Sequence, residues 1–336
     1  MVYIHVKKIR GKKYYTLRMS VRKGNKVITK DLCNLGDDIS KINLDELEKK
    51  YKEKIRKSYR TLKTFLDKNI YLERAKKEKI KKDKYLSKEQ QEQIKAIILH
   101  YKTKFLKLDK LTQEEFFDNF ILNFAVNSTS IEGNTINLRE ASDLFLNDKI
   151  PKDKTLREVY DLQNTKMAIL MLKQESPKID EELIIKVHDM LLDNIDKRKG
   201  FRTHEIRILG QPFKPSPARY IQADIKLLID WYYKNKDKIN PLVLATFFHH
   251  KFEKIHPFSD GNGRTGRILM NHILNLAKYP PTIITKRFRK EYISAMNDAD
   301  KALVKGLLNT DIKKYQNLID FSLSEFEISY WDIFLV

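Results

Sequence analysis

The residues best able to do chemistry lie together at positions 256–267, in the sequence His-Pro-Phe-Ser-Asp-Gly-Asn-Gly-Arg-Thr-Gly-Arg. Histidine titrates near neutral pH, which makes His256 a natural general base. Asp260 offers hard carboxylate oxygens, and proteins usually hold Mg²⁺ with one or two carboxylates together with phosphate groups. An imidazole, a carboxylate and two arginines at this density predict chemistry on a phosphate-containing substrate.

Predicted helices flank this stretch, so it is a loop that leads into a helix N-terminus. Apolar residues recur at helical spacing over 242–255 and again over 268–276. Pro257 ends the first helix because it disfavours helical geometry at the preceding residue. Gly261 and Gly263 allow backbone conformations that a side chain would forbid. Glycines also let a phosphate approach the backbone, and the free N–H groups and dipole of the second helix attract anions. A plain turn with solvated arginines is the weaker interpretation. The predicted phosphate ligands are Gly261, Asn262, Gly263, Arg264 and Arg267.

The 256–267 stretch resembles the signature loop of the Fic family, His-x-Phe-x-(Asp/Glu)-Gly-Asn-Gly-Arg-x-x-Arg, and matches every fixed position. The similarity extends over residues 112–300. It implies a mainly α Fic-type helical bundle that transfers the AMP of ATP, with Mg²⁺, onto a hydroxyl side chain of a target protein, and self-AMPylation with it. It also implies that His256 is the general base, that Asp260 holds Mg²⁺, and that Arg264 and Arg267 bind the ATP phosphates.

A second motif precedes this region, at the end of a predicted helix over 112–131. Ser128 and Glu132 are four residues apart and share one helix face, and Gly133 stands where a C-terminal cap is expected. A carboxylate at the negative end of a helix needs a cation nearby, and Arg267 is the candidate. The pattern resembles the Fic inhibitory motif, Ser/Thr-x-x-x-Glu-Gly/Asn. The resemblance implies that Glu132 pairs with Arg267 and prevents productive seating of the ATP γ-phosphate.

The resemblance also assigns two substrate-binding regions. After Gly200 the sequence alternates and then meets three prolines, which predicts a β-hairpin where Fic proteins carry a flap that holds a target segment by strand addition. A plain inter-helix hairpin remains the alternative. The flap residues are Glu205, Ile206, Arg207, Ile208, Leu209 and Gly210. Tyr292, with Asn271, is the candidate for the adenosine pocket.

The net charge of +21 is unevenly distributed along the chain. Residues 1–110 hold 33 Lys+Arg and 14 Asp+Glu, whereas residues 111–336 hold 33 and 31. Alternation predicts a small β-meander over 1–36, and the pattern from residue 44 to 108 is helical. The basic excess fits either a nucleic-acid partner or a solvated helical arm, and both stay open.

Four regions are therefore expected: a basic β-meander at 1–40, a basic helical arm at 41–110, the Fic domain at 111–310 and an apolar tail at 311–336. A single cysteine, Cys33, excludes an intrachain disulfide framework and fits the cytoplasm. No apolar run is long enough for a membrane span. The arm has an apolar stripe at helical spacing over residues 44–66. A homodimer, formed through the Fic core or through this apolar stripe, is left open.

Three alternatives to AMP transfer stay open. The site could remove AMP from a modified protein, with Glu132 orienting water. It could use another nucleotide donor. The chain could also be a nucleic-acid-binding regulator whose Fic core senses ATP without modifying a target.

Overall fold

The structure, a computed structural model, describes residues 1–206 and 214–336. Across these residues the chain forms twelve α-helices and one three-stranded antiparallel sheet. The predicted mainly α fold with a small N-terminal sheet is confirmed. Of the predicted flap, Glu205 and Ile206 are described and form no strand, while residues 207–210 lie outside the described residues. No helix in the described part of the chain is long and apolar enough to cross a membrane.

Two compact units make up the chain. The first consists of Met1–Lys82, Lys88–Lys107 and Phe334–Val336, and the second of Asp83–Ser87 and Leu108–Ile333. The four regions expected from composition remain a prediction.

The first unit begins with the sheet, in which β1 (Val2–Ile9), β2 (Lys12–Lys23) and β3 (Lys26–Gly36) follow one another in space as in sequence. Side chains alternate between the two faces of a strand. A lone sheet leaves both of its faces exposed, so its apolar face requires a covering layer.

Helices supply that layer. The apolar stripe of the predicted arm is divided between α1 (Leu44–Arg56) and α2 (Tyr59–Lys76), and α3 (Lys88–Thr103) packs on α2. Ile55 and Leu62 are fully buried against the sheet residues Val2, Ile4, Tyr15 and Leu17.

The second unit is helical and is built around two helices in contact, α9 and α10, which residues 256–261 join. Its helices are α4 (Lys110–Ile131), α5 (Leu138–Asn147), α6 (Leu156–Glu175), α7 (Glu181–Leu191), α8 (Ile221–Asn235), α9 (Pro241–Ile255), α10 (Asn262–Leu276), α11 (Arg289–Leu303) and α12 (Ile312–Ile333).

The bend between α9 and α10 comprises residues 256–261, and the local sequence determines where the helices on either side of it begin and end. Asn240 caps α9 and Pro241 occupies its first turn, where a missing N–H costs nothing. The helix ends at Ile255 because His256 adopts a left-handed conformation (φ 51°). Gly261, at φ 75°, is the N-cap of α10.

The region that follows α11 is fastened to α9 by a buried lysine. Lys251 Nζ donates to the carbonyls of Leu307 (3.0 Å) and Asn309 (2.7 Å) and to the Tyr315 hydroxyl (3.2 Å). Burial lowers the pKa of this ammonium from 10.5 to about 7. These contacts fix α12, formed by the C-terminal region, against the helix that precedes the candidate site.

We expect Ile55→Ala to lower the free energy of unfolding of the first unit by about 2–5 kcal/mol, because it leaves a cavity in a closed core. Urea denaturation followed by circular dichroism measures the change. Val27→Ala, at a side chain that is 66% exposed, is the control and should change stability by less than about 0.5 kcal/mol. Equal effects of the two variants would contradict the packing described here.

Candidate active site

A single cavity of about 310 Å³ brings the predicted chemistry together in the second unit. It is lined by the end of α4, the end of α9, the bend, the start of α10 and one face of α11. Among its lining residues are His256, Asp260, Gly261, Asn262, Gly263, Arg264, Arg267, Glu132 and Tyr292.

His256 is held by its backbone and by one ring nitrogen. Nε of Arg202 donates to the His256 carbonyl (2.9 Å), and the backbone N–H of Arg202 donates to the Pro257 carbonyl (2.9 Å). Nδ1 of His256 lies 3.3 Å from the carbonyl oxygen of Glu253. A carbonyl only accepts, so Nδ1 carries the proton in the neutral ring and Nε2 carries the lone pair. Burial lowers the pKa of His256 from 6.5 to about 4. The imidazole is therefore neutral at physiological pH and able to accept a proton.

Asn262 and Phe258 give the bend its shape. The Asn262 side chain accepts from the Phe258 N–H and donates to the Phe258 carbonyl, both at 2.9 Å. The buried Phe258 ring stacks on His188 with centroids 3.6 Å apart. His188 Nε2 lies 3.2 Å from the Asp260 carbonyl, so this residue supports the bend at two points.

The two predicted glycines act by different physical means. Gly261 has the positive φ that the sequence suggested, and a Cβ there would also lie 2.9 Å from Leu192. Gly263 is helical, so the expected conformational reason was wrong for it. What it supplies is space, because a Cβ at Gly263 would lie 2.2 Å from Glu132 Oε1.

Asp260 stands at the mouth of the cavity, between two arginines. It pairs with Arg157 and lies 3.6 Å from Arg264 Nη2, and it accepts from the Gly261 N–H at 2.6 Å. Burial raises the pKa of this carboxyl, but Arg264, the Gly261 amide and Arg157 outweigh burial, and the net pKa lies below 3.8. Asp260 is thus ionised and offers a single carboxylate to a cation. No cluster of three or more His, Cys, Asp or Glu is placed to hold a metal within residues 1–206 and 214–336.

Arg264 is buried and pairs with a carboxylate that the sequence did not single out. Its Nη1 contacts Asp161 of α6. Burial raises the pKa of Asp161 and the charge of Arg264 opposes that shift. Asp161, Thr165 and Ala168 lie along one buried side of α6. An acidic residue on the apolar face of that helix was the available signal for this contact.

Arg267 is also buried, and it meets the inhibitory-motif residues. Nε donates to Ser128 Oγ (2.9 Å), and Nη2 donates to the Ser128 carbonyl (2.9 Å) and to Glu132 Oε1 (2.8 Å). Glu132 caps α4, and Gly133 follows with φ 107°. The Glu132 side chain is 46% exposed and lies over Gly263. A carboxylate thus lies at the start of α10, where the sequence predicts a phosphate.

Comparison with known proteins identifies this arrangement. Residues 178–274 match the model of the Fic/DOC family. These residues are therefore identified as a Fic/DOC domain. Its Fic domain is similar to protein adenylyltransferase fic-1 of Caenorhabditis elegans, with 27% identity over 183 residues, 53% of this chain and 36% of that protein.

Two further comparisons agree. A probable protein adenylyltransferase of Aquifex aeolicus is 29% identical over 195 residues, 57% of this chain and 58% of that protein. The chain thus spans less than two thirds of the length of these relatives. A Fic domain containing signaling protein from Bacteroides thetaiotaomicron has the same fold, with a TM-score of 0.65 at 23% identity over 70% of this chain and 94% of that one.

The two adenosine-pocket candidates have different positions in the Fic domain. Tyr292 lines the cavity, and its hydroxyl lies 2.7 Å from Nε2 of the buried His249. Asn271 is not among the residues that line this cavity, and its assignment to an adenosine pocket stays a prediction. Its side chain bonds both the N–H (2.7 Å) and the carbonyl (2.9 Å) of Thr282 and fixes the segment after α10.

We expect Asn262→Ala to lower the free energy of unfolding of the Fic domain by about 1–3 kcal/mol, because it leaves the buried Phe258 N–H and carbonyl without partners. Chemical denaturation followed by tryptophan fluorescence measures this, since both tryptophans, Trp231 and Trp331, belong to the same unit. The neighbouring Ser259→Ala is the control, with an expected change within about 0.5 kcal/mol. Equal stability of the two variants would show that the Asn262 bridge does not shape the bend.

Proposed function

We propose that this Fic domain is an autoinhibited protein adenylyltransferase that transfers AMP from ATP to a hydroxyl side chain of a target protein. The observation that carries the proposal is the meeting of three groups in one cavity: neutral His256, the N-terminus of α10 and the buried Arg267 guanidinium. A proton acceptor beside a polyanion site is the pair of features that nucleotidyl transfer requires.

The polyphosphate of ATP would bind along the 261–263 backbone, with Arg264 and Arg267 on its oxygens. Backbone N–H groups at a helix N-terminus and buried guanidinium groups together favour such a ligand. Asp260 is the residue that would hold Mg²⁺. One ionised carboxylate suits a cation that takes its other ligands from phosphates and water. When bound, Mg²⁺ would neutralise phosphate charge.

His256 would act as the general base through Nε2. It takes the proton of the target Ser, Thr or Tyr hydroxyl as that oxygen forms a bond to the α-phosphorus. The bond from the α-phosphorus to the bridging oxygen breaks, and pyrophosphate leaves. Negative charge builds on the leaving group, where Arg264, Arg267 and the α10 N-terminus lie. Positioning and charge stabilisation provide most of the catalysis.

The target segment would be held by the flap, residues 205–210. Its described part is anchored, because Glu205 accepts from the Ala218 N–H at 2.9 Å. A hydroxyl of the chain itself is a further acceptor, which gives self-AMPylation. A homodimer through the Fic core stays part of the proposal, as does a cytoplasmic location, which a chain with one cysteine favours.

Glu132 would regulate the enzyme by competing with the γ-phosphate for Arg267. The geometry that supports this is the 2.8 Å contact together with the position of Glu132 over Gly263. The half-exposed Glu132 carboxylate also supports a second candidate function, removal of AMP from a modified protein with Glu132 orienting water. A different nucleotide donor would use the same phosphate contacts.

We expect Glu132→Gly to raise the labelling of protein by ATP that carries the label on its α-phosphate, because Arg267 becomes available to the γ-phosphate. Adding His256→Ala to Glu132→Gly should lower labelling by about 10²–10⁴-fold through loss of the base. Glu115→Gly, at an exposed position of the same helix, is the control and should leave labelling at the starting level. Unchanged labelling in Glu132→Gly, with loss on His256→Ala, would refute inhibition and leave the transferase intact.

The pH dependence tests the state of His256. Protonation removes the base, so activity is lost as pH falls through the pKa of the folded state, which burial lowers from 6.5 to about 4. In the Glu132→Gly variant, kcat/KM should therefore stay level from about pH 8 to about pH 5.5, since it reports the free enzyme. A loss with its midpoint near 6.5 would contradict a buried, neutral imidazole.

A further inference from the structure

The N-terminal sheet is basic to a degree that the transferase does not explain. The first thirty residues hold ten Lys and Arg and no Asp or Glu. The end of the sheet that carries Val2, Ile4, Tyr15 and Leu17 is buried against helices. The opposite end, residues 20–31 of β2 and β3, is exposed over most of its length.

This exposed β2–β3 hairpin, called here the ribbon, is open on both faces. Val21 and Ile28 are cross-strand partners on one face and are 42% and 50% exposed, and Val27 on the other face is 66% exposed. Neither face of the ribbon contributes to the hydrophobic core. Stability of the unit therefore does not account for these apolar side chains.

Cations are also found on both faces of the ribbon. Arg22 pairs with Val27 on one face, and Lys30 pairs with Met19 on the other. Lys23 and Lys26 stand directly opposite each other at the tip. Like charges opposite each other across two strands destabilise a hairpin, and an anion between them removes that cost.

We propose that the ribbon is a docking element for duplex DNA and enters the major groove. Two strands about 4.8 Å apart fit a groove about 12 Å wide, which admits a two-stranded ribbon. Arg22, Lys23, Lys26 and Lys30 would contact phosphates on both sides of the groove. Val21, Val27 and Ile28 would meet the apolar edges of the bases, thymine methyl groups among them. This function does not depend on the transferase.

Three features favour duplex DNA over other polyanions. Residues 20–31 contain no aromatic side chain, whereas single strands bind by stacking on aromatics. The major groove of duplex RNA is too narrow and deep to be read by side chains. The tip of the ribbon, Lys23-Gly24-Asn25-Lys26, is polar, so a lipid bilayer would meet the least apolar part first.

The test uses the full chain and a short fluorescein-labelled DNA duplex, with affinity measured by fluorescence anisotropy over a range of salt concentrations. The ribbon variant carries Arg22→Ala, Lys23→Ala, Lys26→Ala and Lys30→Ala. The matched control removes the same charge from exposed positions of α1 and its C-terminal cap, with Lys49→Ala, Lys52→Ala, Lys54→Ala and Lys57→Ala. Melting curves compare the folding of both with that of the unaltered chain.

The unaltered chain and the control should bind with similar affinity and a steep salt dependence. The ribbon variant should bind at least about tenfold more weakly, and the slope of log K against log salt should fall by about 3 to 4, because each lost phosphate contact removes about 0.9. If the ribbon variant melts earlier, the Lys23→Ala, Lys26→Ala pair should still reduce the slope by about 2.

Equal losses in the ribbon variant and the control would overturn the proposal in favour of diffuse attraction. Equal affinity for a single strand, or binding of anionic phosphatidylserine vesicles in place of the duplex, would overturn it as well. His256→Ala should bind the duplex like the unaltered chain. Failure of AMP transfer and failure of DNA binding are therefore distinguishable.

Discussion

The buried guanidinium of Arg267 is the constraint on which the candidate site depends. A charge removed from water must be paired and hydrogen-bonded, and here Ser128 and Glu132 meet that requirement. Because Glu132 also lies over Gly263, the pair places a carboxylate of the chain itself at the start of α10, where a phosphate is predicted to bind. A ligand with a phosphate in this position must replace one partner of Arg267 with another.

Contacts from surrounding residues also hold Arg264, the bend and His256 in place beside Arg267. Asp161 fixes Arg264 from α6, and His188 supports the bend from α7 through Phe258. Arg202 clamps the backbone at His256. Each contact ties the short bend or the start of α10 to a different part of the bundle, so His256 and the first turn of α10 keep a fixed relation.

Much of the site could be predicted from sequence because its chemistry is local. The 256–267 stretch contains its own helix ends, and the charge of Glu132 at a helix C-terminus required a cation. Contacts of long sequence separation left weaker signals: Arg157 and His188 carry no motif, and Asp161 is marked only as an acidic residue on the apolar face of α6. The helix position of Asn271 likewise did not reveal that its side-chain amide would bond both the N–H and the carbonyl of Thr282. For Gly263 the expected backbone conformation was wrong, because the residue is helical, and the close approach of Glu132 leaves no trace in the local sequence pattern.

In the fold, too, local patterns predicted the elements but not the features that depend on packing. Alternation predicted the meander, and helical spacing predicted the apolar stripe that covers it, but not the break between α1 and α2 at Lys57 and Ser58. The break lies in a stretch without Gly or Pro, the residues that most often signal the end of a helix. The local sequence therefore did not predict it. Packing of both helices against the sheet gives a reason for the break, whereas the spacing of the apolar stripe alone does not.

The most direct test of the central claim compares ATP and ADP binding, by isothermal titration calorimetry, in the unaltered chain and in Glu132→Gln. Glutamine keeps the shape and removes the charge that competes for Arg267. We predict that ATP affinity rises about 5- to 150-fold, the usual range for coupled sites, while ADP affinity stays the same because ADP has no γ-phosphate. An equal gain for both nucleotides, or no gain for ATP, would contradict the account.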